Sequence, residues 1–318
     1  MNIEILKKGS TDNGDCGNDP KTPPDWMDLE RFRRGQQFFQ RHIAVATFAL
    51  HCSLTVGFGV SNLVQPLAFT KKSDTAPKAL RRYLKTFVHV VLWHTENVWD
   101  EKTQGHRSTQ VVRKMHNTVR KNLTSQIQGK SHLTQYDMAI VQAGFMAAIV
   151  TYPSNFGIKC TKEELEDYVF FWRGIGYLLG IKDEFNICSR NYDETYRLCK
   201  QIEYEIVYRG LLEPPAEFET LSNAYINGVN LLSRFRLFSR ESVIAFALDH
   251  MGLSLPSLKL SWGDKLRVQI FRLYTVLIRW TPGFERTLNF FHFIAFRKTL
   301  CLVEKEFLNG VGTCLHNS

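Results

Sequence analysis

From Ile43 to Thr70 the chain carries no Asp, Glu, Lys or Arg. A helix of that length would span a bilayer, so the stretch is either a membrane segment or a helix buried inside a large helical domain. His51, Ser53, Thr55, Ser61, Asn62 and Gln65 interrupt it, and Gly57 and Gly59 weaken it midway. Its hydropathy is therefore borderline for insertion. The buried reading is preferred, and the stretch is expected to lie at the centre of an all-α protein.

The remaining sequence agrees with that class. Pro23, Pro24 and Asp25 make a helix start, and the helix that follows runs through Phe38 and Phe39. Thr161 and Glu164 have capping-box spacing ahead of "EELEDYVFFWRGIGYLLG", where Gly180 suits a left-handed C′ position. "LTQYDMAIVQAGFMAAIVTY" and "WGDKLRVQIFRLYTVLIRW" are apolar and of helix length, and no alternating runs lie between Gly/Asn turns. "GLLEPPAEFE" reads as an inter-helix loop. Residues 1–24 are polar, without apolar periodicity, and are expected to be a flexible tail. Residues 25–318 are expected to form one all-helical domain of about ten helices, long enough to enclose a pocket.

A net charge of +9 attracts anions: nucleic acid, phospholipid headgroups or acidic ligands. There is no dense Lys/Arg tract, zinc-finger spacing or single-strand RNA-reading motif, so nucleic acid is not expected as a partner. The seven cysteines are scattered without CxxC pairs and read as reduced thiols. The first residues lack the apolar region of a signal peptide. The expectation is an intracellular protein that is not secreted, cytoplasmic or at the cytoplasmic face of a membrane, with the endoplasmic reticulum a candidate.

Two helical segments carry candidate chemistry. In "RRYLKTFVHVV", Arg82, Lys85, Thr86 and His89 share a face at spacings of three and four. In "VVRKMHNTVRKNL", Val112, Met115, Val119 and Leu123 form an apolar stripe. His116 lies at its edge, with Arg113 and Arg120 about one turn to either side. By pattern alone, the first is an ordinary exposed face and His116 a hydrogen-bonded core histidine. The sharper alternative is a haem ligand with arginines set for the propionates. HExxH, GxSxG, P-loop and paired ExxH motifs are absent. "GFGVSN" lacks the strand and βαβ context of a dinucleotide site.

Arg82-x-x-Lys85-Thr86, Met115-His116-x-x-Val119-Arg120, Gln135-x-Asp137-Met138-Ala139 and "WRGIGYLLGIKDEFNI" together resemble the rubber oxygenases (latex clearing proteins) and the related ER-bound MpaB-type oxygenases. The resemblance is carried by about residues 75–210. It implies a b-type haem whose iron is held by His116, with Lys85 on the distal side as a second ligand or screen. It also implies that Arg82 and Thr86 line the distal pocket as catalytic residues together with Lys85. Enzymes of this kind cleave an isoprenoid C=C bond or prenyl side chain with O₂. A pocket glutamate is part of the family's proposed mechanism; the corresponding segment here, "VSNLVQPLAF", offers Gln65 and no carboxylate.

The expected function is a haem-dependent oxygenase acting with O₂ on a hydrophobic, unsaturated substrate such as an isoprenoid. A non-catalytic haem-binding sensor, carrier or scaffold is the alternative, and a haem-free helical interaction protein a third class. Leu266 to Trp280, apolar but carrying Arg267, Arg272 and Arg279, is either a core helix with a solvated rim or a peripheral membrane contact that helps a lipid substrate enter.

Overall fold

A computed structural model describes residues 3–127, 131–233 and 235–313. It is built of helices: α1 (Ile3–Lys8), α2 (Leu29–Arg41), α3 (Ile43–Gly57), α4 (Ser61–Thr70), α5 (Ala76–Thr95), α6 (Gln104–Gln126) and α7 (Gln135–Thr151). There follow α8 (Lys162–Leu178), α9 (Tyr192–Ile202), a π-helical stretch (Glu203–Tyr208), α10 (Arg209–Leu212), α11 (Phe218–Asn230), α12 (Arg240–Met251), α13 (Trp262–Trp280) and α14 (Phe284–Thr313). No strand occurs among the described residues, so the chain is all-α as expected.

The uncharged stretch is divided. α3 and α4 meet at 92°, and no single helix among the described residues is long and apolar enough to cross a membrane. α3 is apolar around most of its circumference: Ile43, Val45, Ala49, Cys52 and Val56 are all buried. It packs against α7, α12, α14 and α11. Its threonines are satisfied within the helix and His51 Nδ1 by a distant tyrosine. Thr47 donates to the Ile43 carbonyl, Thr55 donates to the His51 carbonyl, and His51 Nδ1 lies 2.8 Å from the Tyr225 hydroxyl. The break falls where Gly59 crosses Gly210; a Cβ on Gly210 would run into the Gly59 carbonyl oxygen.

Local signals set most of the helix ends. Thr161 and Glu164 form the capping box read from the sequence, and Gly180 takes φ +88° just beyond α8. Thr134–Asp137, Ser239–Ser242 and Ser261–Asp264 are further capping boxes. α2 is capped by Asp28, whose carboxylate accepts from the Glu30 and Arg31 N–H groups, rather than started by Asp25. Phe38 and Phe39 lie within α2 as anticipated, and both are buried.

The first 24 residues are not a flexible tail. α1 buries Ile3 and Leu6, and Leu6 belongs to the main core. The segment beyond it is strapped across α6, α7 and α8. Gln135 Nε2 donates to the Asn13 carbonyl, Cys16 N–H to the Gly180 carbonyl and Asn18 Nδ2 to the Tyr177 carbonyl. Gly14 lies so close to Leu133 that a Cβ would strike its carbonyl oxygen. The centre of the strap is Asp15, which accepts from Arg113 Nε at 2.9 Å, from Arg113 Nη2 and from Asn117 Nδ2. Polar residues predominate here because their partners are backbone groups and cations of distant helices, which local periodicity does not register.

Burial alone would raise the Asp15 pKa, but the bonds from Arg113, Asn117 and the Gly17 N–H together hold it down at about 2. A carboxyl depressed in the folded state stabilises fully above its unfolded value of 3.8 and loses that contribution as pH falls towards 2. Replacing Asp15 with Asn should therefore cost about 1–2 kcal/mol in urea unfolding at neutral pH, a shift of roughly two pH units discounted for solvent screening. The difference from the unchanged protein should shrink between pH 4 and pH 2; a gap that persists at pH 2 would contradict the ion pair.

Candidate functional site

α5 begins after the extended Thr75 with Pro77 in its first turn, where the missing N–H costs nothing. Thr103 caps α6 by accepting from the His106 N–H at 3.1 Å, and α6 returns along α5. His89 Nδ1 meets Ser108 Oγ at 2.7 Å, and further along the pair the charge of Arg82 is felt at His116. The two stripes read from the sequence thus belong to one site.

They border a cavity of about 1650 Å³ lined also by α3, α4, α7, α8, α11, α13 and α14. Ordinary ligand sites span ~300–1,000 Å³, so the space exceeds one small ligand. Phe48, Phe58, Phe145, Trp172, Ile175 and Phe271 give it an apolar, aromatic lining. Its charge is one-sided. Eight lysines and arginines reach the wall, four of them on α5 (Lys78, Arg81, Arg82, Lys85), and among the described lining residues there is no Asp or Glu.

His116 lies on this wall. Its pKa is driven down to about 4, chiefly by burial and then by Arg120, Arg82 and His89, so the imidazole is neutral at physiological pH. Its Nδ1 is buried without a hydrogen-bond partner. His51, His89, His94 and His106 bond through Nδ1 to Tyr225, Ser108, the Val90 carbonyl and the Val98 carbonyl respectively, while Nε2 of His51 and of His94 is, like His116 Nδ1, buried without a partner. His116 differs from these four in that its Nδ1 makes no bond.

Lys85, Arg82 and Thr86 also line the cavity. Arg82 donates to Thr70 Oγ1 at 3.0 Å, burial lowers its pKa, and Thr86 donates to the Arg82 carbonyl at 3.3 Å. Arg113 and Arg120 do not join them. Arg113 is taken up by Asp15 and by Asn18 Oδ1 at 3.0 Å, while Arg120 donates to the Leu133 carbonyl at 2.8 Å and to Asn117 Oδ1. Both are buried away from the cavity wall and hold the strap and the segment before α7, so their expected place beside propionates is corrected.

Gln65 is likewise not on the wall. Asn62, Leu63 and Pro66 present the cavity face of α4, and Asn62 donates to Asp137 Oδ1 at 3.0 Å. The missing carboxylate is thus a property of the whole wall and not of one position. Sequence reasoning missed the pair His51–Tyr225 and the amide of Gln142, whose Nε2 donates to the Trp172 carbonyl at 2.8 Å while its Oε1 stays buried and unpartnered. His51 and Tyr225 are too far apart in the chain for any spacing rule to pair them.

Among the described residues no three His, Cys, Asp or Glu side chains group as a metal site. Iron at His116 would need a macrocycle to complete its coordination, and the neutral, partly unpartnered imidazole on a roomy apolar wall fits that requirement.

Residues 36–280 match the family model described as "ER-bound oxygenase mpaB/B'/Rubber oxygenase, catalytic domain". The solved structure of latex clearing protein in its closed state is 17% identical and covers 94% of this chain and 84% of its own, with a TM-score of 0.62; at that identity the likeness concerns the fold. No curated protein matches the chain.

His116 should stay neutral until pH falls to about 4. In NMR of the imidazole nitrogens, signals of a neutral ring at pH 6 are expected, and a midpoint near 6.5 would contradict the enclosed environment described here.

Proposed function

We propose that this chain, which belongs to the family of the MpaB-type and rubber oxygenase catalytic domains, is a haem-dependent oxygenase acting on a hydrophobic, unsaturated substrate. The observation that carries the reading is the place of His116: a buried, neutral imidazole on the same wall as Arg82, Lys85 and Thr86 of a large, apolar, acid-free cavity. His116 would hold the iron of a b-type haem, and Lys85 would face it as second ligand or screen. Bound haem supplies O₂ chemistry that no side chain can.

The chain's own residues account for the rest. The aromatic walls exclude water and hold an apolar chain by burial alone, at about 25 cal/mol per Å². Arg82, tied to Thr70, fixes a cation in this dry space. With Arg113 and Arg120 committed elsewhere, the negative groups of a haem would be met by the lysines and arginines of the wall. Burial pushes the pKa of His51 to about 3, so it is a weak base, and with no carboxylate on the wall substrate activation would not rest on proton abstraction by a side chain.

That same lack of a carboxylate favours one rival, a haem-binding sensor, carrier or scaffold without turnover. Two measurements separate the readings. The purified protein, supplied with haem, should show a Soret band that His116→Ala abolishes or greatly weakens, and Lys85→Ala should alter the resting spectrum. No Soret band in the unchanged protein would end both haem readings in favour of a haem-free interaction protein. The haem form incubated with unsaturated isoprenoids under O₂ should yield carbonyl products by mass spectrometry; their absence across chain lengths would favour the carrier.

A further inference from the structure

α13 has two apolar faces. Val268, Phe271, Thr275 and Ile278 recur at helical spacing and are buried against the body. Trp262, Leu266, Ile270, Leu273, Val276 and Trp280 recur at the same spacing on the opposite side and are exposed, Trp262 by 79% and Trp280 by 68%. A surface helix of a globular protein carries polar residues there. The outer stripe continues onto Leu231, Leu232, Phe235 and Leu237 before α12, and onto Phe290 and Phe291 of α14, all exposed. Lys265, Arg272 and Arg279 flank the stripe on one side and Arg267 on the other; Arg272 is paired with Asp249 at 2.8 Å and Arg267 with Asp264 at 3.3 Å.

This face adjoins the cavity. Leu232, Leu237, Leu266 and Ile270 are at once exposed and part of the cavity wall, as are the cations Arg236 and Lys72. We propose that the face formed by α13, the segment before α12 and the outer side of α14 docks on an anionic phospholipid bilayer, with the cavity mouth opening into the docked face. The aromatic ends of α13 would sit at headgroup depth, its aliphatic middle would dip below them, and the flanking cations would meet lipid phosphates. Charge selects this occupant over a second copy of the chain: two such faces would bring Lys72, Arg236, Lys265 and Arg279, which carry no ion pair to Asp249 or Asp264, against their own copies across a cavity lining without carboxylates. The inference extends the functional reading by supplying the route of a lipid substrate, but docking itself needs no cofactor.

The test is co-sedimentation of the full chain with phosphatidylcholine vesicles, with and without phosphatidylserine. Binding is expected to the anionic vesicles only and to weaken as salt rises. Leu266→Asp/Ile270→Asp should weaken it at least roughly tenfold, and Lys72→Glu/Lys265→Glu by roughly 30-fold, taking ~1 kcal/mol per basic residue. A readout without disruptive variants comes from brominated lipid chains, which should quench tryptophan fluorescence in the unchanged protein and much less in Trp262→Phe/Trp280→Phe. Absence of binding and quenching, equal binding to both vesicles, or a concentration-dependent dimer that Leu266→Asp/Ile270→Asp dissolves would overturn the proposal. Repeating the assay with and without haemin keeps the questions apart: vesicle binding without haem uptake counts against the cofactor reading alone, and haem uptake without vesicle binding against docking alone.

Discussion

A helix without a charged side chain must be covered on nearly every side, and that demand organises this molecule. α3 brings no ion of its own, so α7, α11, α12 and α14 gather round it. Hydrophobic burial of this kind is non-directional and scales with area. It would tolerate many arrangements were it not for α4, which turns away at 92° where two glycines cross. The bend keeps α4 from continuing the packed column, and α4 instead helps wall the space beside α5 and α6.

Charge is distributed accordingly. Cations enter the cavity chiefly from α5 and the segments at its mouth, and none of the described acids enters it. In a medium of low dielectric, cations without nearby carboxylates disfavour further positive charge. The neutral state of His116 follows chiefly from burial, with Arg120 behind the wall and Arg82 on it pushing in the same direction. A wall built this way accepts apolar bodies bearing negative groups and is poor in bases.

What could be read from the sequence was whatever is encoded within a turn or two of helix. The capping box at Thr161 and the left-handed Gly180 are local patterns, and each took the expected form. The roles of Arg113 and Arg120 were not legible, since nothing within their helix says that Asp15 and Leu133 would claim them. The same holds for residues 1–24, whose polarity resembles disorder until the carbonyls of α8 and the amide of Gln135 are placed beside them. Gln65 fell on the wrong side of α4 because a ten-residue helix with a proline inside gives little periodicity from which to choose a face. The outer stripe of α13 was visible as apolar sequence, but only its neighbours decide which of two apolar faces is covered.

The strap also orders events in time. Its partners lie as far along the chain as Lys182, whose ammonium reaches Asp12 at 2.6 Å. Chain leaves the ribosome at about 5–20 residues per second and its N-terminal part is made first. Residues 9–18 are thus complete long before the surfaces they fasten exist. The strap can close only once α6, α7 and α8 exist to receive it. A segment made before its partners is seated after them, and Arg113 lacks its carboxylate until Asp15 arrives.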